Sequence, residues 1–212
     1  MLRENIRAVR SFIPPGVVLL AVTKGQPHER IREAASLGLR DFGENRVQEA
    51  ERKIPLLDIP GLRWHMLGPV QRNKARNIAE LFDMVQSIDS ARAAEALGRR
   101  CAALGKRMDI LLEVNITREV QRQGVAPEEV LALAKELSGI PHLRLRGLMA
   151  IAPNTPAEET RPYFRRMRML FEECHKAIPS MDVLSMGMSN DYRIAIEEGS
   201  TMVRLGRALF SG

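Results

Sequence analysis

Lys24 is the residue whose type and position could do chemistry. It closes the apolar run Val17-Val18-Leu19-Leu20-Ala21-Val22-Thr23, in a chain where only six of 32 basic residues are lysines. A lysine at the end of a buried strand is partly desolvated, which favours the neutral, nucleophilic amine. Such amines form imines with aldehydes. The alternative is a strand-end lysine whose ammonium snorkels to water. A second group lies late in the chain, in Met186-Gly187-Met188-Ser189-Asn190-Asp191 and Val203-Arg204-Leu205-Gly206-Arg207. The Ser189 hydroxyl can donate to an oxyanion, and so can the backbone N–H groups around Gly206. The alternative there is a pair of ordinary turns. An amine for an aldehyde beside a cradle for a phosphate points to one small molecule carrying both groups, pyridoxal 5′-phosphate.

Other polar residues are less telling. Asn45, in Gly43-Glu44-Asn45-Arg46, follows a strand and opens a helix. It reads either as a helix cap or as a donor to a ligand. His65 could face a ligand, but a packed core histidine is the simpler reading. His28, His142 and His175 are isolated, and no His/Asp/Glu spacing suggests a metal site. Arg161, Arg165, Arg166 and Arg168 share one helix, where a solvated face is favoured over RNA binding. P-loop, Gly-x-Ser-x-Gly and His-Glu-x-x-His motifs are absent.

The elements that must position these residues alternate regularly. Apolar strands are predicted at 17–24, 39–45, 62–68, 84–89, 108–115, 143–152, 183–189 and 202–210. Helix-period segments lie between them, and a further one precedes them, with the stripe Leu2, Ile6, Val9 and Ile13. Eight strands apolar on both faces, alternating with helices, predict an α/β fold, a single (β/α)₈ TIM barrel with an extra N-terminal helix. An open doubly wound sheet is the runner-up, but the first strand ends in Thr23-Lys24-Gly25-Gln26-Pro27, with no Gly-x-Gly-x-x-Gly. Barrel enzymes carry their sites at the C-terminal ends of the strands, where Lys24, Ser189 and Gly206 fall.

Composition is that of a globular chain: 212 residues, 45% hydrophobic, 27% charged and a net charge of +6. One domain over 1–212 is expected. Two distant cysteines exclude a disulfide scaffold. The first residues lack a signal-peptide core, and no apolar run reaches the ~20 residues that span a bilayer. A cytoplasmic setting with no membrane contact is therefore expected. Aromatics are only 4% and the arginines are scattered, which argues against nucleic acid as a partner.

The sequence resembles the pyridoxal phosphate homeostasis proteins over nearly its whole length. The resemblance is carried by Ala21-Val22-Thr23-Lys24, by Phe42-Gly43-Glu44-Asn45-Arg46-Val47-Gln48-Glu49, and by the segment from Trp64 to Lys74. It continues in Gly147-Leu148-Met149, in the segment from Leu184 to Asp191, and in Gly199-Ser200-Thr201-Met202-Val203-Arg204-Leu205-Gly206. It departs at Pro69-Val70, where a polar-Leu pair is more usual, and at Arg122-Gln123-Gly124, where many members carry a lysine before the glycine. The resemblance implies the barrel of the alanine racemase N-terminal domain, fold type III among pyridoxal phosphate proteins. It implies that Lys24 forms the imine, that Ser189 and the backbone near Gly206 and Arg207 hold the phosphate, that Arg204 faces the pyridine nitrogen and that Asn45 lies beside the ring. The implied function is to bind pyridoxal 5′-phosphate in its intracellular homeostasis and to buffer or deliver it to recipient apoenzymes, without significant catalysis; a monomer is expected. The alternative is an amino-acid racemase. Two points weigh against that alternative: an arginine opposite the ring nitrogen disfavours its protonation, and racemases of this fold take a second base, a tyrosine, from another domain, whereas this chain has only Tyr163 and Tyr192.

Overall fold

The structure, a computed structural model, describes residues 1–211. Eight short strands form its centre: β1 (Val18–Val22), β2 (Asp41–Glu44), β3 (Arg63–Met66), β4 (Met84–Ile88), β5 (Met108–Val114), β6 (Leu143–Ala150), β7 (Val183–Ser185) and β8 (Met202–Leu205). Each pairs in parallel with its sequence neighbour, and β1 also pairs with β8, with Leu20 opposite Arg204. The result is the closed (β/α)₈ barrel that the alternation predicts.

Around it lie α1 (Leu2–Arg10), α2 (His28–Ser36), α3 (Val47–Lys53), α4 (Ala75–Leu81), α5 (Ala91–Ala103), α6 (Val130–Ser138), α7 (Arg161–Ala177), α8 (Tyr192–Glu197) and α9 (Arg207–Phe210). The predicted N-terminal helix is α1. It buries Leu2, Ile6 and Val9, and the Asn5 amide donates to the carbonyls of Leu209 and Ser211.

Strand alternation divides the core in two, since successive side chains point to opposite faces. Leu20, Met84, Leu111, Met149, Val183 and Met202 pack inside the barrel, while the larger apolar layer lies between strands and helices. The arginines of α7 take the solvated-face reading. Arg161 pairs with Glu158, Glu197 and Glu198, Arg165 with Glu198, Arg166 with Glu128, and Arg168 with Glu172. Among the described residues no helix is long and apolar enough to cross a membrane.

The strands stop short of the predicted ends. β1 ends at Val22 rather than Lys24, β7 at Ser185 rather than Ser189, and β8 at Leu205, with residues 207–210 helical. Apolar character continues past the last ladder hydrogen bond, because the residues that leave the sheet still line the mouth or cover its rim.

Candidate functional site

A cavity of about 300 Å³ opens at the C-terminal ends of β1, β6, β7 and β8. It brings together Lys24, Ser189, Arg204, Gly206 and Arg207 from opposite ends of the sequence. The closure of β1 on β8 is what makes them neighbours.

Lys24 lies two residues past β1, in a turn completed by Gly25 at φ +71°. It is exposed. The desolvation expected at the end of a buried strand is therefore absent, because the strand ends before the lysine does. Its amine donates to no protein acceptor among the described residues. Both neighbours are held instead. Lys53 Nζ, on α3, donates to the Thr23 carbonyl at 2.9 Å, to Glu44 Oε1 at 2.9 Å and to Glu49 Oε2 at 3.2 Å. The Gly25 N–H donates to the same Glu49 oxygen, and the Thr23 hydroxyl donates to Glu44 Oε1 at 2.7 Å. The Gly25 hydrogen bond leads the effects that hold the Glu49 carboxyl below its usual value. Burial pushes the Glu44 carboxyl up despite its bonds to Thr23 and Lys53.

Arg204 is buried inside the barrel, 5% exposed. Nη1 donates to the Ser185 carbonyl at 2.8 Å and to Ser185 Oγ at 2.7 Å, and Nη2 donates to the Ala150 carbonyl at 2.8 Å. Burial pushes its guanidinium down to about 10, while the carboxylates of Glu113 and Asp191 act in the other direction. It therefore stays a cation at neutral pH. A guanidinium carries five N–H donors. Three are used here, which leaves the Nε–H and one Nη2 hydrogen for a ligand in the cavity.

The loop after β7 is shaped by Asp191, whose Oδ1 accepts the Met188 N–H at 2.6 Å. Burial pushes the Asp191 carboxyl up. Ser189 Oγ accepts the Ala208 N–H at 3.1 Å, so its own proton is left to donate. The N–H groups of Gly206 and Arg207 have no protein acceptor among the described residues. Arg207 is exposed, with Nη2 at 3.4 Å from Asn190 Oδ1. One residue that sequence reasoning missed faces the same cavity. Thr155 Oγ1 is buried and has no hydrogen-bond partner among the described residues, and a buried hydroxyl without a partner costs free energy that a ligand acceptor would recover. The only hint in the sequence is Pro153-Asn154-Thr155-Pro156, turn residues placed directly after a barrel strand.

Asn45 is not brought to this cavity. It lines a separate one of about 790 Å³ with Arg46, Arg52 and Lys74. Nor does it cap α3, whose N-cap is Arg46 with no side-chain cap bond. Its backbone instead crosses close to Gly68, where a Cβ would overlap the Asn45 carbonyl. His65 is buried within the barrel, away from both cavities. No group of His, Cys, Asp and Glu that could hold a metal occurs among the described residues.

Comparison with known proteins gives a consistent picture. The description "Alanine racemase, N-terminal domain" matches residues 1–212. A Pseudomonas aeruginosa protein named pyridoxal phosphate homeostasis protein is 46% identical over 200 residues, 93% of this chain and 85% of the relative. The Escherichia coli K12 protein of the same name is 42% identical over 202 residues, 93% and 86% of the two chains. Among solved structures, PipY of Synechococcus elongatus PCC7942 with PLP bound has a TM-score of 0.92 at 40% identity over 100% of both chains. An alanine racemase of Corynebacterium glutamicum reaches a TM-score of 0.80 at 18% identity, covering 99% of this chain and 59% of that one, which is a likeness of fold alone.

Proposed function

Because this chain belongs to the alanine racemase N-terminal domain family, and within it to the pyridoxal phosphate homeostasis proteins, we propose that it binds pyridoxal 5′-phosphate in the intracellular homeostasis of that cofactor. The observation that carries this reading is the single cavity shared by Lys24, Ser189, Arg204, Gly206 and Arg207. The residues fit the group. A free amine, an unused guanidinium edge, a hydroxyl proton and two open backbone N–H groups meet the aldehyde, the ring nitrogen and the phosphate, and the orphan Thr155 hydroxyl adds a further donor.

When bound, the cofactor supplies an aldehyde carbon that a primary amine can capture covalently. Lys24 presents that amine, and the Lys53–Glu49 clamp on its two neighbours fixes where the amine emerges. Ser189 and the Gly206 and Arg207 amides hold the phosphate. Arg204 donates toward the ring nitrogen and, as a cation, keeps a proton off it. Asn45 serves the neighbouring cavity rather than the ring in this reading, which departs from what the resemblance implies.

The finer reading is a carrier that buffers the cofactor or delivers it to apoenzymes, and not a racemase. Two features support it. Arg204 weakens the ring as an electron sink, and neither Tyr163 nor Tyr192 lines the cavity to act as an opposing base. The buried free thiols of Cys101 and Cys174 suit a cytoplasmic setting. We read the chain over 1–212 as one domain acting as a monomer.

The test is to load the protein, reduce it with borohydride and map the pyridoxyl group by mass. The label is expected on Lys24 and absent from Lys24→Ala. A label mainly on Lys74 would overturn the site. Incubating loaded protein with L- and D-amino acids in deuterated water tests the carrier reading. Sustained Lys24-dependent α-proton exchange at ~1 s⁻¹ or faster, an ordinary enzymatic rate, would make it an enzyme.

A further inference from the structure

Below Arg204, a line of polar side chains runs down the inside of the apolar barrel. Arg204 Nη1 donates to Ser185 Oγ at 2.7 Å, and Ser185 Oγ donates to Gln86 Oε1 at 2.7 Å. Gln86 Nε2 lies 3.0 Å from His65 Nδ1, and His65 Nε2 lies 3.1 Å from Asp41 Oδ1. At the opposite rim the exposed Arg63 donates to Asp41 Oδ2 at 2.7 Å. Gln86 and Ser185 are 0% exposed and His65 is 2% exposed.

With Gln86 Oε1 turned to Ser185 and Nε2 to His65, donors and acceptors match at every link. A guanidinium only donates, so Ser185 Oγ accepts from Arg204 and its one proton goes to Gln86 Oε1. The Gln86 amide nitrogen then faces His65, so Nδ1 accepts and the imidazole proton sits on Nε2, facing Asp41. Burial works to raise the Asp41 carboxyl, but hydrogen bonds from His65 and Arg63 outweigh it and hold Asp41 below its usual value. It is therefore the acceptor that ends the line. A side chain carrying an acceptor and a donor side by side joins Ser185 to His65 in this arrangement. Gln86 is that side chain.

We infer that Gln86 is a positioning residue for the cofactor. By taking the Ser185 proton, it keeps the Ser185 lone pairs turned toward Arg204 and so fixes the guanidinium edge against the ring nitrogen. The inference rests on the reading that Arg204 faces that ring. Gln86 touches neither the cavity nor a ligand in it. In a Gln86→Leu protein the Ser185 hydroxyl can rotate, and one of the three bonds that hold Arg204 loses its fixed partner.

The experiment measures the dissociation constant of pyridoxal 5′-phosphate and the visible absorption of the loaded protein for Gln86→Leu, Gln86→Glu, Ser185→Ala and Arg204→Gln. The ¹⁵N signals of His65 are recorded without cofactor. Gln86→Leu, which removes one neutral hydrogen bond, should weaken binding about five- to tenfold, Ser185→Ala, which also removes a bond to the Arg204 cation, should weaken it at least as much, and both should alter the visible band. The His65 ring signals should move in both, although Ser185 does not touch His65. Gln86→Glu keeps the acceptor for Ser185 and should bring affinity back to within about threefold of wild type, since that link to Arg204 survives. If Gln86→Leu fails to fold, by circular dichroism, the smaller change Ser185→Ala decides. Wild-type affinity and spectrum in Ser185→Ala or in a folded Gln86→Leu would overturn the inference while leaving the cofactor reading intact. Wild-type binding by Arg204→Gln would instead remove the placement of Arg204 on which the inference stands.

Discussion

Gly25, the residue after Lys24, donates its backbone N–H to Glu49 Oε2 at 3.1 Å. Thr23, the residue before it, has its carbonyl bonded by Lys53 at 2.9 Å. The turn that carries the Lys24 amine is thus tied on both sides to one helix, while the amine itself has no protein acceptor among the described residues. Glu49→Ala should release one side. Affinity for the cofactor should fall about three- to tenfold, as expected for one hydrogen bond to a partly exposed charge. Titration by absorbance checks this, and an unchanged affinity would mean that the turn holds its shape without Glu49.

Lys53 has a second task, which is to pair the fully buried Glu44. Lys53→Met should strand that carboxylate and cost about 2–4 kcal/mol of stability, because breaking a buried pair leaves an uncompensated charge. The double variant Lys53→Met/Glu44→Gln should recover most of that loss. Urea unfolding of the three proteins measures both effects.

Ser189→Ala removes a hydroxyl whose one protein partner among the described residues is the Ala208 N–H. A hydrogen bond to a charged phosphate contributes roughly 1.5–3 kcal/mol, so affinity should fall about ten- to a hundredfold. Calorimetry with inorganic phosphate as competitor should show the same ordering of the two proteins. Equal affinities would place the phosphate elsewhere.

Glu113, on β5, has its carboxyl pushed up to about 7 by burial, against the attraction of Arg204 and with a smaller push from Asp89. A group raised in the folded state gives stability that is complete below its unfolded value of 4.5 and is lost as pH rises through about 7. Unfolding free energy should therefore decline between those limits. Glu113→Gln should stabilise the cofactor-free protein by about 1–3 kcal/mol at pH 8 and by nothing at pH 4.5, at 1.36 kcal/mol per pKa unit. Urea titrations at the two pH values are the check. A gain of equal size at both would point to packing instead of ionisation.

The barrel was legible because its strands are continuous apolar runs at even spacing, and period alone separates them from helices. Lys24, Ser189 and Gly206 were legible as polar breaks at the ends of such runs. The exposure of Lys24 was not, since apolarity does not mark where a ladder ends. The cap reading of Asn45 failed for a local reason: Asn before a charged segment reads as a cap, while the backbone here starts α3 at Val47 with Arg46 as its N-cap. The line from Arg204 to Asp41 escaped notice because its members are single polar residues in five different strands. A polar residue at an inward position of an otherwise apolar strand, such as Gln86 in β4, is the trace it leaves in sequence.

The pairing of β1 with β8 also has a consequence during synthesis. Lys24 emerges from the ribosome early, but Ser189, Arg204, Gly206 and Arg207 follow more than 160 residues later. Until β8 is made, β1 has an open edge and the Lys24 turn has no opposite wall. Long-range closure of this kind is slow to form and leaves strand edges exposed to aggregation meanwhile. Cofactor capture would thus mark a chain folded through β8, and a nascent one would carry the amine but no pocket to use it.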